Sequence, residues 1–226
     1  MFRLFLVLAL AGGVAGVLDA RSVAPAAGPA TVHADGGPVL SIHVVTERVD
    51  ARGRRRLAGQ SLVRTDKRIA LTPDGSRKEW IFERNPLDPA RVSGYLIDHA
   101  ARRIVVYQES DLRNREGLAA WGDVWHMRVD PRDLKQMTRT AERQQVNGVP
   151  FVRYRREGSG TGTVLVDWSD EHGLPGRVEV RDAEGVTVSQ IDRLVPLTEA
   201  AVPGEPTSRH ADYEIVDVAD LGEHHH

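Results

Sequence analysis

The chain contains no cysteine. That absence excludes disulfides, thiolate metal sites, cysteine nucleophiles and a lipidated N-terminal cysteine together. Aromatic residues are scarce, with four Trp, four Tyr and four Phe, so the position of each one is informative. An excess of one charge is also missing: 30 basic and 32 acidic residues are spread along 226 positions, for a formal net charge of −2. Such a balance gives no field that would draw nucleic acid, which is not expected as a partner. The one long apolar run, residues 4–18, follows Arg3 and stops before Asp19 and Arg21. Spanning a bilayer takes roughly 20 apolar residues, so this shorter run reads as the core of a secretory signal. Residues 1–24 are therefore expected to be removed on export, with an uncleaved anchor as the alternative. Residues 25–38, a tract rich in Ala, Pro and Gly, cannot bury enough surface to fold and read as a tail.

What is present is β-pattern. Residues 163–168 put Val164, Val166 and Trp168 on one face and Thr163, Leu165 and Asp167 on the other, the period of a half-buried strand. The link 169–175 ends in Gly-Leu-Pro. The run after it sets Arg177, Glu179 and Arg181 on a wet face against Val178 and Val180. Asp182-Ala183-Glu184-Gly185 is a turn, with a third strand from Val186. Upstream, residues 39–49 and 57–65 form a hairpin, and 67–72 runs to the turn Pro73-Asp74-Gly75. In residues 78–84 the alternation places Trp80 and Phe82 inward. Residues 92–98 and 103–108 pair around Asp98-His99-Ala100-Ala101, and Asn147-Gly148 is a favoured pair for a two-residue type I′ hairpin turn. A last strand is expected over 213–218.

The period changes after Glu109. Ser110 and Asp111 are good N-caps, and Leu118, Trp121 and Trp125 would share one helical face. A second short helix is expected with Asp130 as N-cap, Pro131 at its first position, and Leu134 and Met137 buried. About ten strands with short links and helices confined to one insertion predict a mainly β fold, a large antiparallel sheet curled on itself with the helices filling its open side.

Three stretches carry a family resemblance: VDWSDEHGLPGRVEVRDAEG at 166–185, Tyr95-Leu96-Ile97-Asp98, and the Asn147-Gly148 hairpin. In these the chain resembles the LolA/LolB-like superfamily over residues 39–222. The resemblance implies a periplasmic protein with an incompletely closed, strongly curved antiparallel β-sheet, a half-barrel, whose open side is covered by a helical insertion. It further implies a non-enzymatic role: holding lipid or lipoprotein acyl chains between sheet and lid, or contacting another envelope protein as a stress-regulatory module with a filled core. No cofactor is implied. The ligand-binding candidates on this reading are Trp80, Phe82, Tyr95, Trp121 and Trp125, although plain packing suits Trp80, Phe82, Trp121 and Trp125 better. The chain departs from dedicated carriers in its low aromatic content and longer N-terminal tail.

Other residues invite chemistry. Asp123 with His126, and Asp170 with His172, are acid and imidazole at short spacing, but no third group completes a catalytic set, and loop or helix-end roles suit them better. An envelope hydrolase would need a polar cluster converging in a cleft. Arg54-Arg55-Arg56 is either a headgroup-binding patch or a solvated turn. His224, His225 and His226 are either transition-metal ligands or a terminal tail or tag remnant.

Overall fold

The computed structural model describes residues 39–157, 162–197 and 204–222. The expected signal segment, the 25–38 tail and the terminal His run lie outside the described residues.

Six strands, β1 (Leu40–Asp50), β2 (Arg55–Arg64), β3 (Arg68–Pro73), β4 (Lys78–Arg84), β5 (Val92–Asp98) and β6 (Arg103–Tyr107), make one antiparallel meander. A second meander comprises β7 (Thr138–Val146), β8 (Val149–Glu157), β9 (Thr163–Ser169), β10 (Leu174–Asp182) and β11 (Gly185–Pro196). It returns so that β11 pairs with β1. With a short last strand, β12 (Glu214–Asp217), the result is one sheet in the order β12-β6-β5-β4-β3-β2-β1-β11-β10-β9-β8-β7, not closed between its two ends. Its curvature is visible in one bond: Asn147, at the tip of the β7–β8 hairpin, donates through Nδ2 to the Leu194 carbonyl of β11 at 3.3 Å. A flat sheet would hold those strands far apart. The expected mainly β half-barrel with a helical insertion is thus the observed architecture.

Period-2 patterning fixes the inner face. Leu40, Ile42 and Val44 of β1 and Trp80 and Phe82 of β4 enter one apolar core. The Trp80 and Phe82 rings stack at 5.6 Å, and Tyr107 lies 4.9 Å from Trp80. Gly94 sits opposite Phe82, and a Cβ there would come within 3.1 Å of Leu112, so the missing side chain admits the insertion to the core. A second cluster, Ala70, Ile81, Ile97 and Ile104, lies on the outer side of the same strands.

Two expectations are corrected. The insertion is not one helix carrying Leu118, Trp121 and Trp125 on a common face. It runs as α1 (Glu109–Asp111), a π turn (Leu112–Glu116), α2 (Trp121–Trp125) and α3 (Pro131–Leu134). Gly117 takes a left-handed φ of 66° and ends the first piece, and Gln108, rather than Ser110, stands at the N-cap position. The last strand, β12 (Glu214–Asp217), is parallel to β6, unlike every other pairing. Asp130 and Pro131 do start α3 as expected, the Asp130 carboxylate accepting from the Arg132 amide at 2.8 Å. The Asn147-Gly148 turn has both residues at positive φ, 48° and 83°, as a type I′ turn requires.

The wet face of β10 is drier than its pattern suggests. Glu179 is buried beneath Arg177 and Arg181, which donate to it at 2.6 and 2.5 Å. Asp167 is likewise buried, accepting two bonds from the Arg153 guanidinium at 2.7 and 3.1 Å. The Arg54–Arg56 segment is exposed, with Arg54 paired to Asp50 and Arg55 to Glu47.

Gly185 holds the β10–β11 turn at φ 138°, where a Cβ would lie 2.0 Å from the Val49 carbonyl oxygen. Because that neighbour is backbone, Gly185→Ala should destabilise the protein by about 2 kcal/mol or more in a denaturant melt. On the outer face His43 bridges two carboxylates, Asp192 at 2.6 Å and Asp74 at 3.0 Å, which hold its imidazole above its ordinary value. A raised folded value means stability present below pH 6.5 and lost as pH rises through the folded pKa. The stability difference between wild type and His43→Gln should therefore be largest near pH 6, at most about 1 kcal/mol for so exposed a pair of acids, and shrink toward pH 9. A difference that grows with pH would contradict this.

Candidate functional site

Three- to five-residue helices are not stable on their own. The insertion is therefore held by what it buries, chiefly Leu112, Leu118, Trp121 and Val124 in the main core. Beyond that, a polar clasp fixes it. Arg64, the last residue of β2, is only 3% exposed. Its Nη1 donates to the Trp125 carbonyl at 3.0 Å and its Nη2 to the His172 carbonyl at 2.5 Å. The guanidinium also lies 4.0 Å from the centroid of the Trp125 ring, a favourable cation–π contact in a dry setting. No carboxylate pairs with it among the described residues, its Nε has no partner, and burial pushes its pKa down to about 9. It still carries its charge at neutral pH.

The same clasp explains the Gly-Leu-Pro turn. Gly173 is left-handed, at φ 57°, where an added Cβ would meet the His126 and Trp125 rings at 3.4 and 3.5 Å. His126 donates from Nδ1 to the Gly173 carbonyl at 2.7 Å. The sheet thus grips the end of α2 from β2 and from the β9–β10 turn. Of the two acid–imidazole pairs, Asp123 caps α2 by accepting from the Ala119 and Ala120 amides at 2.6 and 2.9 Å, and His172 contributes its backbone carbonyl to Arg64. Burial holds the His172 imidazole below its ordinary value.

Beside the clasp, a cleft opens between α2 and strands β2 to β4. Leu62, Ile69, Leu71, Phe82, Val124 and Met127 make its apolar wall; Gln60, Asp123 and Arg128 add polar atoms. Gln60 Oε1 and Arg128 Nε are buried without partners. Met127 and Arg128 are both left-handed, at φ 51° and 66°, which costs about 1 kcal/mol each for residues with a Cβ. The cleft is tight, with a volume of about 30 Å³. That is room for water, while sites for drug-sized ligands occupy about 300 Å³ or more.

Of the five candidates from sequence, Phe82 lines the cleft. Trp80 and Trp121 are buried in the adjoining core, and Trp125 is partly buried against it, 5.9 Å from Trp121. Tyr95 packs with the outer cluster, because its cross-strand partner is Ile81 rather than Trp80. Its hydroxyl is held above the ordinary tyrosine value by burial and by Glu83. Gln60, Arg64, Met127 and Arg128 were not singled out from the sequence.

No family model matches the chain, and no curated protein matches it significantly. Among solved structures, the chain is similar to MucB in the Pseudomonas aeruginosa MucA/MucB complex, at 15% identity over 74% of this chain and 56% of that one, with a TM-score of 0.45. A PNGF-II structure matches at 10% identity over 82% of this chain and 32% of the other, TM-score 0.46. An outer membrane lipoprotein-sorting protein domain from Vibrio parahaemolyticus matches at 12% identity over 76% and 89%, TM-score 0.36. The chain spans about half the length of MucB. Likeness at this level carries no argument about activity.

The Arg64 clasp makes a prediction with two opposed terms. Arg64→Met removes two charge-assisted bonds, about 1.5–3 kcal/mol each, but also frees the fold of a buried, unpaired charge, whose replacement by an apolar group is often stabilising by about 1–4 kcal/mol. Global stability should change by less than about 2 kcal/mol, while amide exchange over residues 118–129 accelerates. A large global loss with unchanged local exchange would contradict the clasp.

Proposed function

We propose that the chain is a non-catalytic binding module of the cell envelope, in which the 108–137 insertion is a lid over the apolar face of the open sheet and an acyl chain is the group it holds. The observation that supports this most is the pairing of an apolar wall with a lid held by a handful of polar bonds: the buried Arg64 clasp, the His126 bond to the Gly173 carbonyl and the Trp121 amide bond to the Ala90 carbonyl. An attachment made of a few hydrogen bonds to carbonyls can be exchanged for water at modest cost, whereas the core beneath is fixed by many side chains. In this reading the described form is the closed one. Its cleft of about 30 Å³ takes no acyl chain until α2 moves, and each methylene then buried contributes about 0.8 kcal/mol. The N-terminal signal pattern supports an exported location, the periplasm.

The small cleft also favours a second reading: a protein-interaction module with a filled core, which would use its outer surface or an edge strand. The experiment that separates them is titration of wild type and Arg64→Met with a fluorescent fatty acid. The carrier reading expects saturable binding, tightened more than about 10-fold by the substitution because the closed form no longer competes. Trp121→Ala combined with Trp125→Ala should lower stability by about 3 kcal/mol or more, as truncated core aromatics do. Absence of binding to either protein at tens of micromolar would leave the interaction module standing.

A further inference from the structure

Outside the cleft, one side-chain cluster has the composition and layout of a metal site. Glu79 lies on β4, His99 follows β5 in the turn to β6, and His210 follows α4 (Pro206–Arg209), the short helix that leads into β12. One ligand atom from each falls within 4.8 Å of the other two. We propose that Glu79, His99 and His210 bind a divalent transition metal of the zinc type, fastening the C-terminal segment to the edge of the sheet.

The geometry favours this over a chance gathering of polar groups. Glu79 is buried, at 7% exposure. His210 Nε2 is buried with no hydrogen-bond partner, a costly state unless something fills it. His99 Nδ1 lies 3.2 Å from the Tyr213 hydroxyl. With the proton on Nδ1 donated to that oxygen, Nε2 keeps its lone pair, and Nε2 stands 3.8 Å from Glu79 Oε2. Such an outer partner orients a metal-bound imidazole. Zinc ligands at 2.0–2.2 Å from the ion stand about 3.4 Å apart in a tetrahedron, so separations of up to 4.8 Å need to close by about 1.4 Å at most. Two imidazoles and a carboxylate, with no thiolate, suit zinc, nickel or copper.

Arg209 opposes a cation here. Its Nη1 and Nη2 reach Glu79 Oε1 and Oε2, both at 3.4 Å. Without metal it neutralises the carboxylate, and metal must displace it from at least one oxygen. The site would matter to the fold because β12 is short, parallel and half-exposed, and a four-residue edge strand has little stability of its own. His210 and Tyr213 flank the entry to it, with their rings stacked at 4.7 Å.

The test uses the full chain carrying His224→Ser, His225→Ser and His226→Ser, titrated calorimetrically with zinc chloride alone. One equivalent is expected to bind, and amide exchange over residues 206–217 is expected to slow. His99→Gln and His210→Gln should each weaken binding by more than about 10-fold, and Tyr213→Phe by about 10-fold. Arg209→Ala should tighten it, an effect of opposite sign that general damage to the segment would not produce. Zinc affinity that is unchanged in both histidine variants, or that vanishes when the terminal histidines are replaced, overturns the proposal.

Discussion

The insertion depends on a charge placed where charge is expensive. Arg64 sits beneath α2 without a carboxylate partner among the described residues, satisfied by two carbonyls and an indole face. A methionine there would fill the same space without the desolvation cost. What the guanidinium adds is direction. Its fork reaches the end of α2 and the β9–β10 turn at once, tying together two pieces of chain that share no strand pairing. The left-handed Gly173 and the His126 bond to its carbonyl complete the grip. Because each helical piece of the insertion is too short to persist alone, that grip and the buried Leu112, Leu118, Trp121 and Val124 decide its position together.

This division between a firm sheet and a lightly attached insertion also places the strain. The left-handed Met127 and Arg128, the unpartnered Arg128 Nε, and the unpartnered Oε1 of Gln60 on β2 all line the cleft. Their cost is recovered if the insertion moves, so opening would be opposed by core contacts and partly assisted by relief of these groups. The outer face shows the opposite design, with Glu179 and Asp167 each held by arginines in fixed geometry.

Much of the sheet was legible because its signals are local. Alternation located the strands, Asn147-Gly148 announced its own turn, and Asp130-Pro131 its own helix start. The insertion was less legible, since three aromatic and aliphatic positions at helical spacing cannot show that the first helical piece ends at Gly117, before Leu118, and that a new helix starts only at Trp121. Tyr95 was misplaced for a different reason: its face follows from its register against Ile81, a pairing that its own strand does not encode. Arg64 was invisible for the same cause. At a strand end it reads as solvated, and only the insertion folding over it, 61 and 108 residues downstream, makes it buried. The parallel return of β12 is equally non-local.

The central claim is that the insertion is a lid over the apolar face, and the absence of cysteine allows it to be tested by distance. Spin labels at Ala119→Cys on the insertion and Arg56→Cys on β2, both exposed positions, report their separation by pulsed electron resonance. The account predicts one narrow distance without ligand and a second, longer distance when a fatty acid is added. A single distance that fatty acid leaves unchanged, in protein shown to bind it, would contradict the account.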